Sequence, residues 1–473
     1  MSLKIKNTIA LVSCFLMVLG FQWCSLDRPF FWDTIQLGAA HATYYWSTQF
    51  STILLPESID SGHIPSFGMF LALVWEIFGR TLIVSHLCIL PFSIGIVWQL
   101  WQLCRQFIAA EFAGVALCLI MIDPSLLSQI TLVSPDVPLV FFFLLSVNAV
   151  LKNRILLLLC GILLLFMTSM RGMMLSVCIL FLDLYRHIDL KKTPKQLLFI
   201  LLKRSIIYIP ALLVFVIFSG YHYIEKGWIG YHRNSPWATC FEAVNFKGFL
   251  YNIGIYGWRL LDFGRVGVWS AFIILLLIYR KVIFKEKAIR VLGYFSAVLL
   301  LILPLNMLWA KNLLAPRYFI PIYLTFSLFC AAILFSKFVA KNVRLALAVV
   351  WLICIVSGNF WVYPRQISEG WDATLAHVPY YKLREQALAY LDNEQVPYSE
   401  VQSFFPNTAA IDLIDLNGDA RKFQNFDGKA RYVLDSNVFN VNETDYNSLI
   451  RHYKVVKRFE RRGVYVVIYE KLQ

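Results

Sequence analysis

Apolar blocks long enough to cross a bilayer recur along this chain, and they constrain its fold more than any other feature. A helix needs about 20 apolar residues to span the hydrocarbon core. Candidate blocks lie at 7–24, 81–103, 108–127, 137–151, 154–170, 172–185, 205–221, 266–280, 289–309, 314–336 and 343–361. Of the 473 residues, 59% are hydrophobic and only 15% are charged, too few charges for a soluble chain whose surface must face water. The expected fold class is therefore a polytopic α-helical membrane protein with about 11 transmembrane helices. The first block follows Lys4 and Lys6, as the core of a signal peptide would. It has no small-residue cleavage site, because Trp23 and Cys24 run into Leu26 and Asp27, so it reads as a retained anchor.

The formal net charge of +14 matters mainly through its placement. With the N-terminus inside, the inner segments collect basic residues such as Lys4, Lys6, Arg105, Lys152, Arg186, Lys191, Lys192, Lys203, Arg280, Lys281, Lys337 and Arg344. They hold few acids: Glu111, Asp183, Asp189 and Glu286. That is a positive-inside pattern. Nucleic-acid binding would need the charge gathered on one folded face, so no nucleic-acid partner is expected. The pattern also places 63–79, a short apolar stretch containing Glu76. If it crossed, the basic segments after it would fall outside, so it reads as a helix in or dipping into the outer interface. The C-terminus is then outside. The reading is a multi-pass bacterial inner-membrane protein with a periplasmic C-terminal domain. The bacterial assignment rests on the lack of a eukaryotic retention signal at the C-terminus.

Three outward regions follow: a first outer loop 25–80, an outer loop 222–265 and a tail 362–473. The spacing over 31–46 suits an amphipathic surface helix. The tail changes abruptly to soluble composition, which divides the chain into a membrane domain 1–361 and a soluble domain 362–473. Residues 380–393 have helical periodicity, and 400–405, 430–435, 453–459 and 463–470 read as strands, together a small α/β domain. No repeat, linker or hydropathy echo between halves is visible. Of the ten cysteines, nine lie in or at the ends of spans and Cys240 stands alone in an outer loop, with no metal or disulfide pattern.

Polar side chains beside a membrane are costly, so those gathered on one side invite a functional reading. On the outer side these are Asp27, Arg28, Asp33, Glu57, Asp60, His63, Asp136, Arg171, Arg259, Asp262, Arg265, Lys311 and Arg317. Acids and cations together suit a phosphate-bearing donor and a hydroxyl acceptor.

Four segments carry a family resemblance: FFWDTIQLGAAHATYYW, GHIPSFGMFLALVWEIFGRTLIVSHL, SPDVPLVFFFLLS and APRYFIPIYLTFSLF. In content and order they resemble the GT-C membrane glycosyltransferases, in the aminoarabinose transferase and protein O-mannosyltransferase branch, over roughly the first three quarters of the chain. The resemblance implies that Asp33 is the catalytic base or helps to hold the acceptor. Many relatives have two adjacent acids there, whereas Asp33 is followed by Thr34, which leaves the base open between Asp33 and an acid elsewhere. It implies that Asp136 is an active-site or metal-linked carboxylate. For both acids the alternative is helix capping. Arg317 resembles the basic residue that contacts the lipid phosphate, and Arg171 and Lys311 admit the same role. The alternative for these is an interfacial cation snorkelling at a span end. Glu57, Asp60 and His63 could hold a divalent metal cation or form a solvated loop. The aromatics of 221–258, among them Tyr221, Trp228, Trp237 and Trp258, could stack on sugars or border the lipid chain, but an interfacial belt explains them equally.

The implied activity moves a sugar from a polyprenyl-phosphate-linked donor to a lipid, protein or glycan acceptor on the periplasmic face. The rival is a flippase or transporter of a lipid-linked sugar or other amphiphile. A non-catalytic assembly or sensor protein is the third reading.

Overall fold

The computed structural model describes residues 2–188, 193–232, 238–367 and 369–472. Asp189, Lys191 and Lys192 of the inner-charge pattern, and Trp237 of the aromatic loop, lie outside the described residues. Every apolar block is helical. Among the described residues seven stretches are long and apolar enough to cross a membrane: Leu3–Trp23, Leu82–Phe107, Pro194–Lys226, Val266–Ile283, Lys287–Trp309, Pro316–Leu334 and Lys341–Phe360. The block at 108–127 is broken into Ala113–Met121 and Pro124–Ile130, bent by 70°. Counting it as one span makes eight. Asp136–Leu151 and Ile155–Thr168 have 16 and 14 residues, which at 1.5 Å per residue falls short of a full crossing. Met170–His187 carries Arg171, Asp183 and Arg186. Among the described residues the eleven apolar blocks thus comprise seven or eight helices of full crossing length, with shorter apolar helices beside them.

The broken span shows how local chemistry positions the site. Asp123 caps its second half, accepting from the backbone N–H of Ser125 and Leu126 at 3.0 and 3.2 Å. Pro124 takes the first helical position, where its missing N–H costs nothing. The same carboxylate holds buried Arg265 through two 2.8 Å bonds. Removing one partner of a buried ion pair leaves an uncompensated charge. Asp123→Leu is therefore expected to cost about 3–5 kcal/mol, and its lost cap a further ~1 kcal/mol. Thermal unfolding of the purified variant in detergent checks this, and an unshifted midpoint would refute it.

At the centre of the bundle, every residue of Ile320–Leu334 is buried. The helix expected over 31–46 begins as a wide turn at Ile35–Ala40 and becomes α-helical at His41–Ser47. Its residues Ile35, Ala39, Ala42 and Tyr45 are buried, so it packs into protein. It lies against Ser66–Phe78, the helix expected at 63–79, at Gly68, where a Cβ would meet the His41 Cβ at 2.4 Å. All ten cysteines are free thiols.

Beyond Phe360 the chain builds a five-stranded sheet: β1 (Val401–Ser403), β2 (Gln424–Asn425), β3 (Tyr432–Ser436), β4 (Tyr453–Arg461) and β5 (Val464–Lys471), in the order β2-β1-β3-β5-β4. β1 runs parallel to β2 and β3, while β5 is antiparallel to β3 and β4. Helix Pro379–Asn393 packs on β4 and β5. The expected helix and four strands are all present; β2 and helix Glu443–His452 are additions. The two-residue turn Arg462–Gly463, with φ of 52° and 78°, joins β4 and β5, as a type I′ hairpin requires.

This domain is fastened to the membrane helices at several points. Arg80 meets the Asp412 carboxylate at 2.7 and 3.0 Å, and the Phe30 N–H donates to the Ile414 carbonyl at 2.8 Å. The Trp32 indole donates to the Val438 carbonyl at 3.0 Å. Trp32 is held at φ 51°, a left-handed conformation that a bulky residue rarely adopts unless its surroundings fix it.

One titrating group in the connecting segment gives a pH signature. Glu369 is buried, with one oxygen accepting the Tyr363 N–H at 2.8 Å and the other without a hydrogen-bond partner among the described residues. Burial pushes its carboxyl from the ordinary 4.5 up to about 8. The folded chain thus keeps a proton that the unfolded chain releases near pH 4.5. Stability from this group is full below about 4.5 and is lost as the pH rises through about 8. Glu369→Gln is expected to flatten the unfolding midpoint against pH across that window; parallel curves for variant and wild type would contradict it.

Candidate active site

Arg317 stands in the turn Pro316–Phe319, at the entrance to the fully buried helix. It is 6% exposed and sits among three carboxylates. Its Nη2 pairs with Asp33, its Nη1 with Asp372, and its Nε lies 3.1 Å from Asp136 Oδ2. Arg171 Nη2 approaches the other Asp136 oxygen at 2.5 Å. Tyr318 joins both cations: its ring lies 4.1 Å from the Arg171 guanidinium carbon and 4.8 Å from that of Arg317, and its hydroxyl accepts from Arg317 at 3.2 Å. Two guanidiniums thus share three acids in a nearly dry pocket, where charge interactions are far stronger than in water.

Neither acid acts as a cap. The wide turn after Asp33 starts at Ile35, with Thr34 at its cap position and no side-chain cap. Asp136 opens its own helix after Pro135, and its N–H donates to Ser134 Oγ at 3.1 Å. Both carboxylates turn to the arginines instead.

Asp372 arrives from beyond the last span. Its carbonyl accepts from Ser128 Oγ and Gln129 Nε2, both at 2.7 Å, on the second half of the broken span. The Gln129 side-chain carbonyl in turn accepts from Ser134. The amide of Gln129 therefore ties the Asp372 segment to the turn that carries Asp136.

Beside the cluster lies a cavity of about 120 Å³. Asp33, Arg171, His41, His63 and Tyr318 are among its polar lining, and Leu37, Phe67, Phe241 and Leu313 among its apolar lining. Arg171 lies in the first turn of Met170–His187, whose N-cap Ser169 accepts from the Gly172 N–H at 3.3 Å. A helix N-terminus with an arginine in its first turn favours an anion. Burial lowers the imidazole of His41 to about 4 and that of His63 below its usual range, so both are neutral near pH 7.

The other sequence candidates go elsewhere. Asp60 accepts from Gly62 N–H at 2.8 Å and pairs with His222 at 3.0 Å, joining segments 25–80 and 222–265. His63 turns Nδ1 to the Ser61 carbonyl at 2.7 Å, and Glu57 is exposed. Among the described residues no three His, Cys, Asp or Glu side chains stand together as metal ligands. Lys311 is exposed and pairs with Glu242 at 2.9 Å. Arg259, Asp262 and Arg265 form a second buried network with Asp123 and Tyr363. Sequence reasoning missed Asp372 and Gln129, which carry no pattern of their own. It also passed over Asp123, although an acid inside an apolar block was a usable signal.

Fold and site together define a multi-pass helical membrane protein with a buried arginine–carboxylate cluster roofed by a small α/β domain. No family model matches the chain, and no curated protein matches it. Among solved structures it is similar to ArnT from Cupriavidus metallidurans bound to undecaprenyl phosphate, at 11% identity over 98% of this chain and 97% of that one, with a TM-score of 0.47. It is similar also to the apo state of that protein, at 11% identity over 97% of each chain, with a TM-score of 0.49.

Proposed function

We propose that the chain is a GT-C-type glycosyltransferase that moves a sugar from a polyprenyl-phosphate donor to a lipid, protein or glycan acceptor at the periplasmic face of a bacterial inner membrane. The observation that carries this reading is the pairing of Asp33, on the cavity wall, with buried Arg317 beside Arg171. The sequence resemblance supports it independently.

In the reaction an acceptor hydroxyl attacks the anomeric carbon and its proton passes to the Asp33 carboxylate. The bond from that carbon to the phosphate oxygen breaks, and the electron pair leaves on the polyprenyl phosphate. Arg171 and Arg317 stabilise the charge that grows there. A donor phosphate that takes over guanidinium contacts also frees Asp33 to accept the proton. Asp136 holds the two arginines in register. Glu57, Asp60 and His63 do not converge as a cation's ligands, and no step is routed through a metal.

The test is consumption of radiolabelled polyprenyl-phosphate sugars, as a panel, by purified protein in liposomes, with and without EDTA. Sugar transfer from one donor supports the reading. Labelled lipid that changes leaflet unconsumed would put a transporter in its place, and no effect on any donor would favour the assembly role. Loss on chelation alone would restore a cation to the mechanism.

A further inference from the structure

A second, larger cleft of about 1060 Å³ opens between the outer ends of the spans and the C-terminal domain. Arg28, just beyond the first span, Lys382 on helix Pro379–Asn393, and Arg461 with Arg462 at the β4–β5 turn converge on it from three parts of the chain. Among the described residues none of the four has an ion-pair partner; Arg28 only faces the Tyr381 ring at 5.8 Å. The other charged pairs along the wall are internally neutralised, Arg384 by Asp415 and Asp392 by Arg421. Among the described residues two acids, Asp27 and Glu385, also face the cleft without an ion-pair partner. Four unpaired cations against two unpaired acids leave the cleft positive.

The position of the mouth selects the ligand. Leu82, which opens the span Leu82–Phe107, and Phe360, which closes Lys341–Phe360, both line it. Phe360 is 65% exposed, and Trp23 at the end of the first span is 77% exposed, as aromatic residues at a bilayer rim are. A phosphate held in the cleft therefore has a lipid surface at its edge, and the volume far exceeds what a phosphate alone needs.

We propose that this cleft binds the phosphodiester headgroup of an anionic lipid of the surrounding leaflet, clamping the C-terminal domain onto the membrane. The site is separate from the Arg317 cluster and stands whether or not the chain transfers sugars.

The test uses the full chain in nanodiscs of phosphatidylcholine with phosphatidylglycerol, with retained lipid counted by native mass spectrometry. The variant Arg461→Gln with Arg462→Asn removes two cations while leaving Asn-Gly, a favoured type I′ pair, in the turn. It is expected to hold phosphatidylglycerol roughly tenfold more weakly than wild type. Lys457→Gln, on the same strand but outside the cleft, is expected to match wild type. Equal retention by the double variant and wild type would overturn the site. Displacement of the lipid by excess inorganic phosphate alone would overturn the lipid as its ligand in favour of a soluble phosphate.

Discussion

Arg317→Met is expected to destabilise the protein by about 3–5 kcal/mol. Its side chain is 7% exposed and is the common partner of Asp33, Asp136 and Asp372. Without it three carboxylates face one another in a nearly dry pocket, and Arg171, which reaches only Asp136 among them, cannot neutralise all three. Such a cost shows as a fall in the thermal midpoint of the detergent-purified chain. Adding Asp372→Asn removes one orphaned charge and is expected to recover part of the loss, a coupling that a double-mutant cycle measures. Strictly additive effects would mean that Asp372 and Arg317 do not interact.

Asp33→Asn is expected to remove about 10²- to 10⁴-fold of the transfer rate while leaving the thermal midpoint nearly unchanged. Of the three acids on Arg317 it is the most exposed, at 23% against 3% for Asp136 and 5% for Asp372, so losing its charge disturbs the buried balance least. Asn keeps a hydrogen-bond acceptor for Arg317 but cannot take a proton from an acceptor hydroxyl. The expected pattern is a drop in kcat with donor binding retained. A variant with full turnover would take the base role from Asp33, and Asp136→Asn would then be the next substitution to assay.

Much of this architecture was legible in the sequence for a simple reason. Apolar length and the alternation of a strand are local properties, so the helical blocks, helix 379–393 and four of the five strands follow from neighbours along the chain. The same holds for the candidates Asp33, Asp136, Arg171 and Arg317, because a charge beside an apolar block is visible in one dimension. Their convergence is not a local property. Residues 33 and 317 are 284 positions apart, and only the tertiary fold makes them partners. Lys311 illustrates the reverse, since six residues from Arg317 it faces solvent and Glu242.

What the sequence by itself determined is the class: a chain whose apolar blocks must lie in a membrane and whose tail must not. Tertiary structure alone decided the composition of the charged cluster. It brought in Asp372 through hydrogen bonds from Ser128 and Gln129 on a bent span, and set Asp60 against His222. The physical reason is that burying Arg317 demands compensating charge from whichever segments reach it, and reach is set by where helices bend and end.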